Sequence, residues 1–169
     1  MNLQIEPATE DDASELMALH RSVLEEGRYF ITLAEEFHNS VERQRLLMRH
    51  LISQDNSCQL LARSQGQLIG MVLIRGGFLR RMAHVGKLEI FLRTDCREKG
   101  AGRTLMNAAL DWARAHTGLT KIGLSVFEDN ERAVQLYRSM GFQIEGRRVA
   151  EYQDPDGVLR NDLLMWIGV

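Results

Sequence analysis

The chain has 169 residues, with 21 Lys and Arg against 23 Asp and Glu, a formal net charge of −2. That balance leaves no cationic excess for nucleic acid or an anionic membrane surface. Its hydrophobic share of 44% and charged share of 26% are those of a globular protein long enough for one sizeable core, read as a single domain over residues 1–169. No apolar run approaches bilayer length, and the opening MNLQIEPATEDD is too acidic and polar for a secretory signal. Cys58 and Cys96 lie far apart with no CxxC spacing. Reduced thiols, a cytoplasmic location and no metal are the resulting expectations.

In chain order, Leu3 and Ile5 alternate with polar neighbours up to Pro7 and predict a short first strand. Thr9 and Asp12 resemble a capping box opening a helix with Leu16, Leu19 and Val23 at helical spacing, ended by Gly27. Residues 28–33 read as a loop. A second helix is predicted from about Ala34 to Ile52, with Phe37, Val41, Met48 and Leu51 on one side. Cys58–Arg63 and Leu68–Ile74 read as strands of a hairpin turning at Ser64–Gln67. A turn or bulge holding Arg75, Gly76, Gly77, Arg80 and Arg81 follows, and His84 is expected to open the next strand.

The central stretch is LEIFLRTDCREKGAGRTLMNAALDW, residues 88–112. Leu88, Ile90 and Leu92 alternate with Glu89, Phe91 and Arg93 as in a strand; a glycine-containing loop follows, then a helix with Leu105, Ala109 and Trp112 on one face. Strand, loop and helix start make an anion site, because the first N–H groups of a helix lack internal partners and sit at the positive end of its dipole. Gly100 and Gly102 open access to those amides, and Arg97, Lys99 and Arg103 add positive charge, so the loop reads as a pyrophosphate cradle. Cys96, beside it, is either a reactive thiol or an incidental loop residue. Neither a Walker loop nor a complete dinucleotide fingerprint with its acidic ribose contact is present, which argues against a nucleotide-binding oxidoreductase.

Further on, Thr120–Phe127 reads as a strand with Ile122, Leu124 and Val126 pointing one way. Asn130 is placed to cap a helix carrying Ala133, Leu136, Tyr137 and Met140, with Gly141 at its end. Residues 142–152 and 159–167 read as two strands joined by the turn Asp154-Pro155-Asp156-Gly157. The order is β-α-α-β-β-β-α-β-α-β-β, one mixed α/β domain.

Two of these patterns carry a resemblance. Arg97-x-x-Gly100-x-Gly102 resembles the coenzyme A pyrophosphate motif of the GNAT acyltransferase superfamily, Arg/Gln-x-x-Gly-x-Gly/Ala. Downstream, LSVFEDNERAVQLYRSMGFQIEGR resembles the second signature of that superfamily, and together they cover roughly Leu68 to Trp166. HVGKLEIFL and EGRRVAEYQDPDGVLRNDLLM look most like small bacterial amino-acid N-acetyltransferases. The resemblance implies a mixed, mostly antiparallel sheet of about seven strands with about four helices, splayed at its two central strands. It implies acetyl-CoA as acetyl donor, with the amides of Arg97, Glu98, Lys99, Gly100, Ala101, Gly102 and Arg103 on the pyrophosphate. Backbone groups of Ile90, Phe91 and Leu92 would pair with the pantetheine arm, which Asn130 and Ala133 would also meet, and Tyr137 would lie near the thioester sulfur.

Acetyl transfer to an amine needs a held thioester, a neutral amine, oxyanion stabilisation and a proton for the departing thiolate. Within the resemblance Tyr137 supplies that proton; without it, Tyr137 reads as a packed helix residue. The oxyanion donor is expected in a backbone N–H near Phe91 or Leu92. Glu89 is the first candidate base, a carboxylate on the central strand. Relatives often carry a Glu nearer the strand's beginning, where this chain has Gly86 and Lys87, so a water relay, with Ser125 positioning the water, is the alternative; His84 reads as structural. The acceptor pocket is expected from the first two helices, the 28–33 loop and the last hairpin. Tyr29, Phe30, Tyr152 and Trp166 are its candidate aromatics, with Arg28, Arg80, Arg81 and Arg147 as candidate carboxylate ligands. The acceptor reads as a small-molecule amine, an amino acid or related compound. A peptide N-terminus and a non-catalytic CoA-binding regulatory role are the alternatives, and the last strands offer edges for a homodimer.

Overall fold

In the computed structural model, residues 3–115 and 118–169 are described. In chain order the elements are β1 (Leu3–Pro7), α1 (Ala13–Leu24), α2 (Val41–Ile52), β2 (Cys58–Ser64), β3 (Gln67–Gly76), β4 (Val85–Leu92), α3 (Ala101–Ala115), β5 (Lys121–Phe127), α4 (Glu131–Ser139), β6 (Gln143–Gln153) and β7 (Leu159–Gly168). The seven strands form one sheet in the order β1-β2-β3-β4-β5-β7-β6, and only β4 and β5 run parallel. This is the α/β architecture that the strand and helix patterns imply. Among the described residues no helix is long and apolar enough to cross a membrane.

Alternation along each strand divides the core in two. One cluster, on the face covered by α3, holds Leu105, Met106, Ala109 and Leu110 against Val72, Ile74, Leu88, Ile122 and Leu124. The other face packs Leu16, Leu19 and Val23 of α1 and Met48 and Leu51 of α2 on Leu61, Met71, Leu73 and Phe91. On β4, therefore, Leu88 faces α3 while Phe91 faces α1 and α2. The register of β3 against β4 is regular from Gly70↔Leu92 to Gly76↔Gly86, so no bulge disturbs this parity, and Glu89 shares the face of Phe91.

The sheet is continuous only at a narrow waist. β4 stays paired with β3 along its length, and β5 stays paired with β7 from Lys121↔Gly168 to Phe127↔Asp162. Between β4 and β5 just three pairs form, Val85↔Lys121, Gly86↔Ile122 and Lys87↔Gly123. Beyond them the strands diverge, leaving Leu88–Leu92 and Leu124–Phe127 facing a gap. The base of the gap is closed by the His84 carbonyl, which accepts from the N–H groups of Thr120 and Lys121 at 2.9 and 3.2 Å. Gly86 sits in this waist: a Cβ there would stand 2.7 Å from Ile74 Cγ2 and 2.8 Å from Ile122 Cδ1. The same contacts leave no room for a carboxylate side chain at residue 86.

Two elements differ from the sequence reading. The helix expected from Ala34 to Ile52 is a single 3-10 turn at Ala34–Glu36, a break, and α2 from Val41. Ser40 makes the break by capping α2, its hydroxyl accepting the Arg43 N–H at 3.1 Å, which leaves Phe37 free to turn inward against His20. His84 precedes its strand, which begins at Val85. β6 slips register against β7 between Ile144 and Gly146 and again between Arg148 and Tyr152, where Ala150 takes a positive φ of 53°.

Replacing Gly86 by alanine tests the waist. The added methyl overpacks Ile74 and Ile122, and an expected loss of about 1–3 kcal/mol would be read by urea denaturation. A change below about 0.5 kcal/mol would contradict the close approach.

Candidate active site

The gap between β4 and β5 opens into a cavity of about 790 Å³. Its wall includes Asn130, Ala133 and Tyr137 of α4 on one face of the sheet and Leu16, His20 and Leu51 of α1 and α2 on the other. Both faces contribute, so the cavity passes through the sheet at the split.

At one mouth stands the glycine loop. Thr104 N–H donates to the Gly100 carbonyl at 3.1 Å, the first bond of α3. Among the described residues, none offers an acceptor to the backbone N–H groups of residues 98–103, and no acidic residue lies in the first turn of α3. Six consecutive donors at the positive end of a fifteen-residue helix make a cradle for a di-anion. The two glycines serve it differently. Gly100 has φ +85° with open space where a Cβ would go, so its part is the left-handed turn; Gly102 lets the helix start lie against the sheet, a Cβ there standing 3.1 Å from Leu92 Cδ1.

The basic side chains of the loop are tied down. Arg97 does not project freely toward the cradle: its Nη1 and Nη2 donate to both oxygens of Glu26 at 2.5 and 2.8 Å, and its Nε donates to the Leu92 carbonyl at 2.9 Å. Thr94 Oγ1 donates to the same Glu26 carboxylate. Arg97 is thus a strut joining the end of α1, the end of β4 and the loop, with its charge answered by Glu26. Lys99 donates to the Asp95 carbonyl at 2.7 Å and Arg103 to Ser139 Oγ at 2.7 Å. Their partners are neutral, so their positive charge remains at the helix start. Ala101 is buried, and neither it nor Lys99 lies on the cavity wall. Cys96 is also buried, packed in the α3 core.

Along the gap, backbone direction follows from alternation. Arg93 N–H donates to the Ile69 carbonyl on β3 at 2.8 Å, so the amides of Glu89 and Phe91 also point to β3, and those of Ile90 and Leu92 point into the split. Ile90 and Leu92, rather than Phe91, therefore present the open strand edge. Across the gap, Asn130 caps α4 by accepting the Ala133 N–H at 3.3 Å, which aims its amide nitrogen away from the helix. Tyr137 is 8% exposed, packed on Phe142, and lines the cavity. Among the described residues its hydroxyl has no hydrogen-bond partner, and burial pushes its pKa up to about 12, against a slight downward pull from Arg132.

The α1/α2 side of the cavity is aromatic. His20 stacks on Phe91 at 4.8 Å and meets Phe37 at 4.7 Å, and Phe127 packs on Tyr152 at 5.0 Å. Burial lowers the pKa of His20, which favours the neutral imidazole. Glu89 lies here too, 58% exposed, with Arg75 Nη2 at 3.9 Å. Of the residues expected at an acceptor pocket, Tyr29, Phe30, Tyr152 and Arg28 line the cavity, whereas Trp166, Arg80, Arg81 and Arg147 do not. Arg147 is held by Glu128 on another surface through two bonds of 2.7 Å, which together with a bond from the Asn161 amide bring the Glu128 pKa to about 2.

Sequence reasoning overlooked His20, Glu26 and Asp162. Asp162 is 1% exposed, lines the cavity, and accepts from Ser125 Oγ at 2.7 and 2.8 Å. Its only sequence signal is a charged residue at an inward position of the final strand. No group of three or more His, Cys, Asp or Glu placed to hold a metal occurs among the described residues.

A split parallel pair beside a glycine loop and a capped helix defines a class of acyltransferase, and the comparisons agree. The model of the acetyltransferase (GNAT) family matches residues 18–142. The spermidine N(1)-acetyltransferase of Vibrio cholerae is 33% identical over 119 residues, 70% of this chain and 67% of that protein. An L-amino acid N-acetyltransferase of Escherichia coli is 30% identical over 88 residues, 52% of this chain and 54% of that one. A GNAT-family acetyltransferase structure from Streptococcus pneumoniae superposes with a TM-score of 0.96 at 29% identity, covering 99% of this chain and 100% of that one. The chain belongs to the GNAT acetyltransferase family and is an N-acetyltransferase.

Gly100→Glu would place a carboxylate beside the orphan amides and strain the positive φ. Acetyl-CoA affinity is expected to fall about tenfold or more in calorimetric titration; unchanged affinity would contradict the cradle.

Proposed function

We propose that the protein transfers acetyl from acetyl-CoA to the primary amine of a small amino acid, as one domain over residues 1–169 acting in the cytoplasm. When bound, acetyl-CoA supplies the activated thioester. The amides of residues 98–103 hold its pyrophosphate, with Lys99 and Arg103 adding charge. The open edge at Ile90 and Leu92 holds the pantetheine arm, which also passes Asn130 and Ala133, and the Leu92 N–H is placed to stabilise an oxyanion. Tyr137, kept neutral by burial, offers its proton to the sulfur side of the cavity, on the α4 face. Glu89 on the opposite face accepts the proton of the incoming ammonium, directly or through water.

The observation that favours an amino acid is charge. Every carboxylate on the cavity wall already faces an arginine: Glu26 with Arg97, Glu89 with Arg75, Glu98 with Arg132 and Asp162 with Arg148. Arg28, at the aromatic end, meets no carboxylate among the described residues and lies over the Tyr29 ring, 5.5 Å from its centroid. Such a wall suits a carboxylate on the acceptor and disfavours a polyamine carrying several positive charges. The aromatic residues at the same end suit an apolar side chain. The long edge strand β6, with exposed Ile144 and Val149, supports the reading of a homodimer.

Thiol release from acetyl-CoA, measured with single amino acids, spermidine and short peptides, tests this reading. Apolar or aromatic amino acids are expected to be turned over with the highest kcat/KM; faster turnover of spermidine or of a peptide would overturn it. Tyr137→Phe is expected to lower kcat by about 10²–10⁴-fold with acetyl-CoA affinity retained. Because the hydroxyl stays protonated as pH passes its ordinary value of 10, wild-type kcat should show no falling limb near pH 10 that Tyr137→Phe removes.

A further inference from the structure

We propose that Ser125 and Asp162 form a fixed hydrogen-bond acceptor that, with Glu89, holds two N–H bonds of the acceptor amine and so makes the enzyme selective for primary amines. This rests on the amine-acetylating reading above and concerns the same cavity. Continuing the register of the three β4–β5 pairs past Lys87↔Gly123 brings Glu89 opposite Ser125, where the strands have parted. Parallel partners point to the same side of a sheet. Both side chains accordingly face α1 and α2, away from Leu88, Leu124 and Val126 in the α3 core. Two polar groups thus flank the gap at one level, on the face opposite Tyr137.

The character of Ser125 is set by Asp162. A free serine hydroxyl can donate or accept, since its single proton rotates to suit its neighbour. Here Oγ lies 2.7 and 2.8 Å from the two oxygens of Asp162, and Oδ2 of that carboxylate is 2.7 Å from Arg148 Nη2. The carboxylate, held at 1% exposure on β7, accepts the hydrogen bond that the hydroxyl donates. What Ser125 turns toward the cavity is then lone pairs alone. It can receive an N–H and offers no proton that would bond to the amine's own lone pair.

That distinction matters for attack. A neutral primary amine has two N–H bonds and one lone pair. Once Glu89, 58% exposed, has passed the ammonium proton on to water, one N–H on Ser125 Oγ and one on the Glu89 carboxylate leave the lone pair as the group that faces the thioester carbon. A secondary amine has a single N–H and can satisfy only one of the two. Ser125 touches the substrate in this arrangement; Asp162 is a positioning residue acting through it, and neither takes a proton.

The test compares wild type with Ser125→Ala, Ser125→Thr and Asp162→Asn, using the fastest amino acid of the panel and its N-methyl derivative. Ser125→Ala is expected to lower kcat/KM for the primary amine about 10- to 100-fold, to reduce the preference over the N-methyl derivative, and to leave acetyl-CoA affinity unchanged by calorimetry. Ser125→Thr, which keeps the hydroxyl, should restore most of the rate. Asp162→Asn is nearly isosteric, but its amide can donate to Oγ and turn the hydroxyl proton into the cavity. It should therefore lose as much as Ser125→Ala, and the double variant should lose no more. Wild-type kcat/KM in Ser125→Ala, or full activity in Asp162→Asn beside an impaired Ser125→Ala, would overturn the proposal. If the asparagine variant fails to fold, the alanine–threonine comparison decides alone. Wild type that turns over no amine at all would overturn the underlying reading, and the proposal with it.

Discussion

Everything in this molecule follows from where the pairing of β4 with β5 stops. Parallel strands that stay paired leave no opening, and a sheet cut through entirely would be two sheets. Here β4 follows β3 and β5 follows β7, and the two halves share three residue pairs above the seal at His84. The strand edges freed by the divergence keep their hydrogen-bonding groups, which need partners once water is displaced. A ligand with amide groups of its own, such as a pantetheine arm, is the complement of such an edge. Gly86 makes the waist possible by letting Ile74 and Ile122 close over it.

The split also sorts the chemistry. Residues on the α4 face, Asn130 and Tyr137, sit on one side of the cavity; Glu89, Ser125 and the aromatic wall sit on the other. In the proposed reaction the proton donor for the leaving group and the acceptor for the incoming amine stand on these two opposite sides of the sheet. Electrostatics is sorted likewise. Orphan amides with Lys99 and Arg103 keep positive potential at the loop, while on the cavity wall each carboxylate is matched by an arginine. The Arg97–Glu26 strut spends the motif's own arginine on geometry, fastening loop, β4 and α1 together.

Much of this was legible in the chain because it is written in local patterns. Period-two alternation, short apolar runs and the turns between them identified all seven strands, and helix starts at Asn130 and at the Gly100–Gly102 loop follow from orphan N–H groups that any helix must satisfy. The break at residues 37–40 was hidden because Phe37 and Val41 fit a helical stripe equally well, and the cap at Ser40 competes only once Phe37 packs on His20 of α1. The Arg97–Glu26 and Ser125–Asp162 contacts join residues 71 and 37 positions apart, which no periodicity reports. Asp162 carried a weak sign, a charge in an inward strand position. Its partner could be named only after the β5–β7 register was known.

The most direct test of the central claim is hydrogen exchange of backbone amides with and without acetyl-CoA, resolved by residue. The amides of Ile90, Leu92 and residues 98–103 face the split or the cradle and should slow strongly on binding. The Phe91 amide, already directed to β3, should change little. Protection at Phe91 without protection at Ile90, Leu92 and the loop would contradict a donor held along the open edge of β4, and with it the account of how this fold makes its active site.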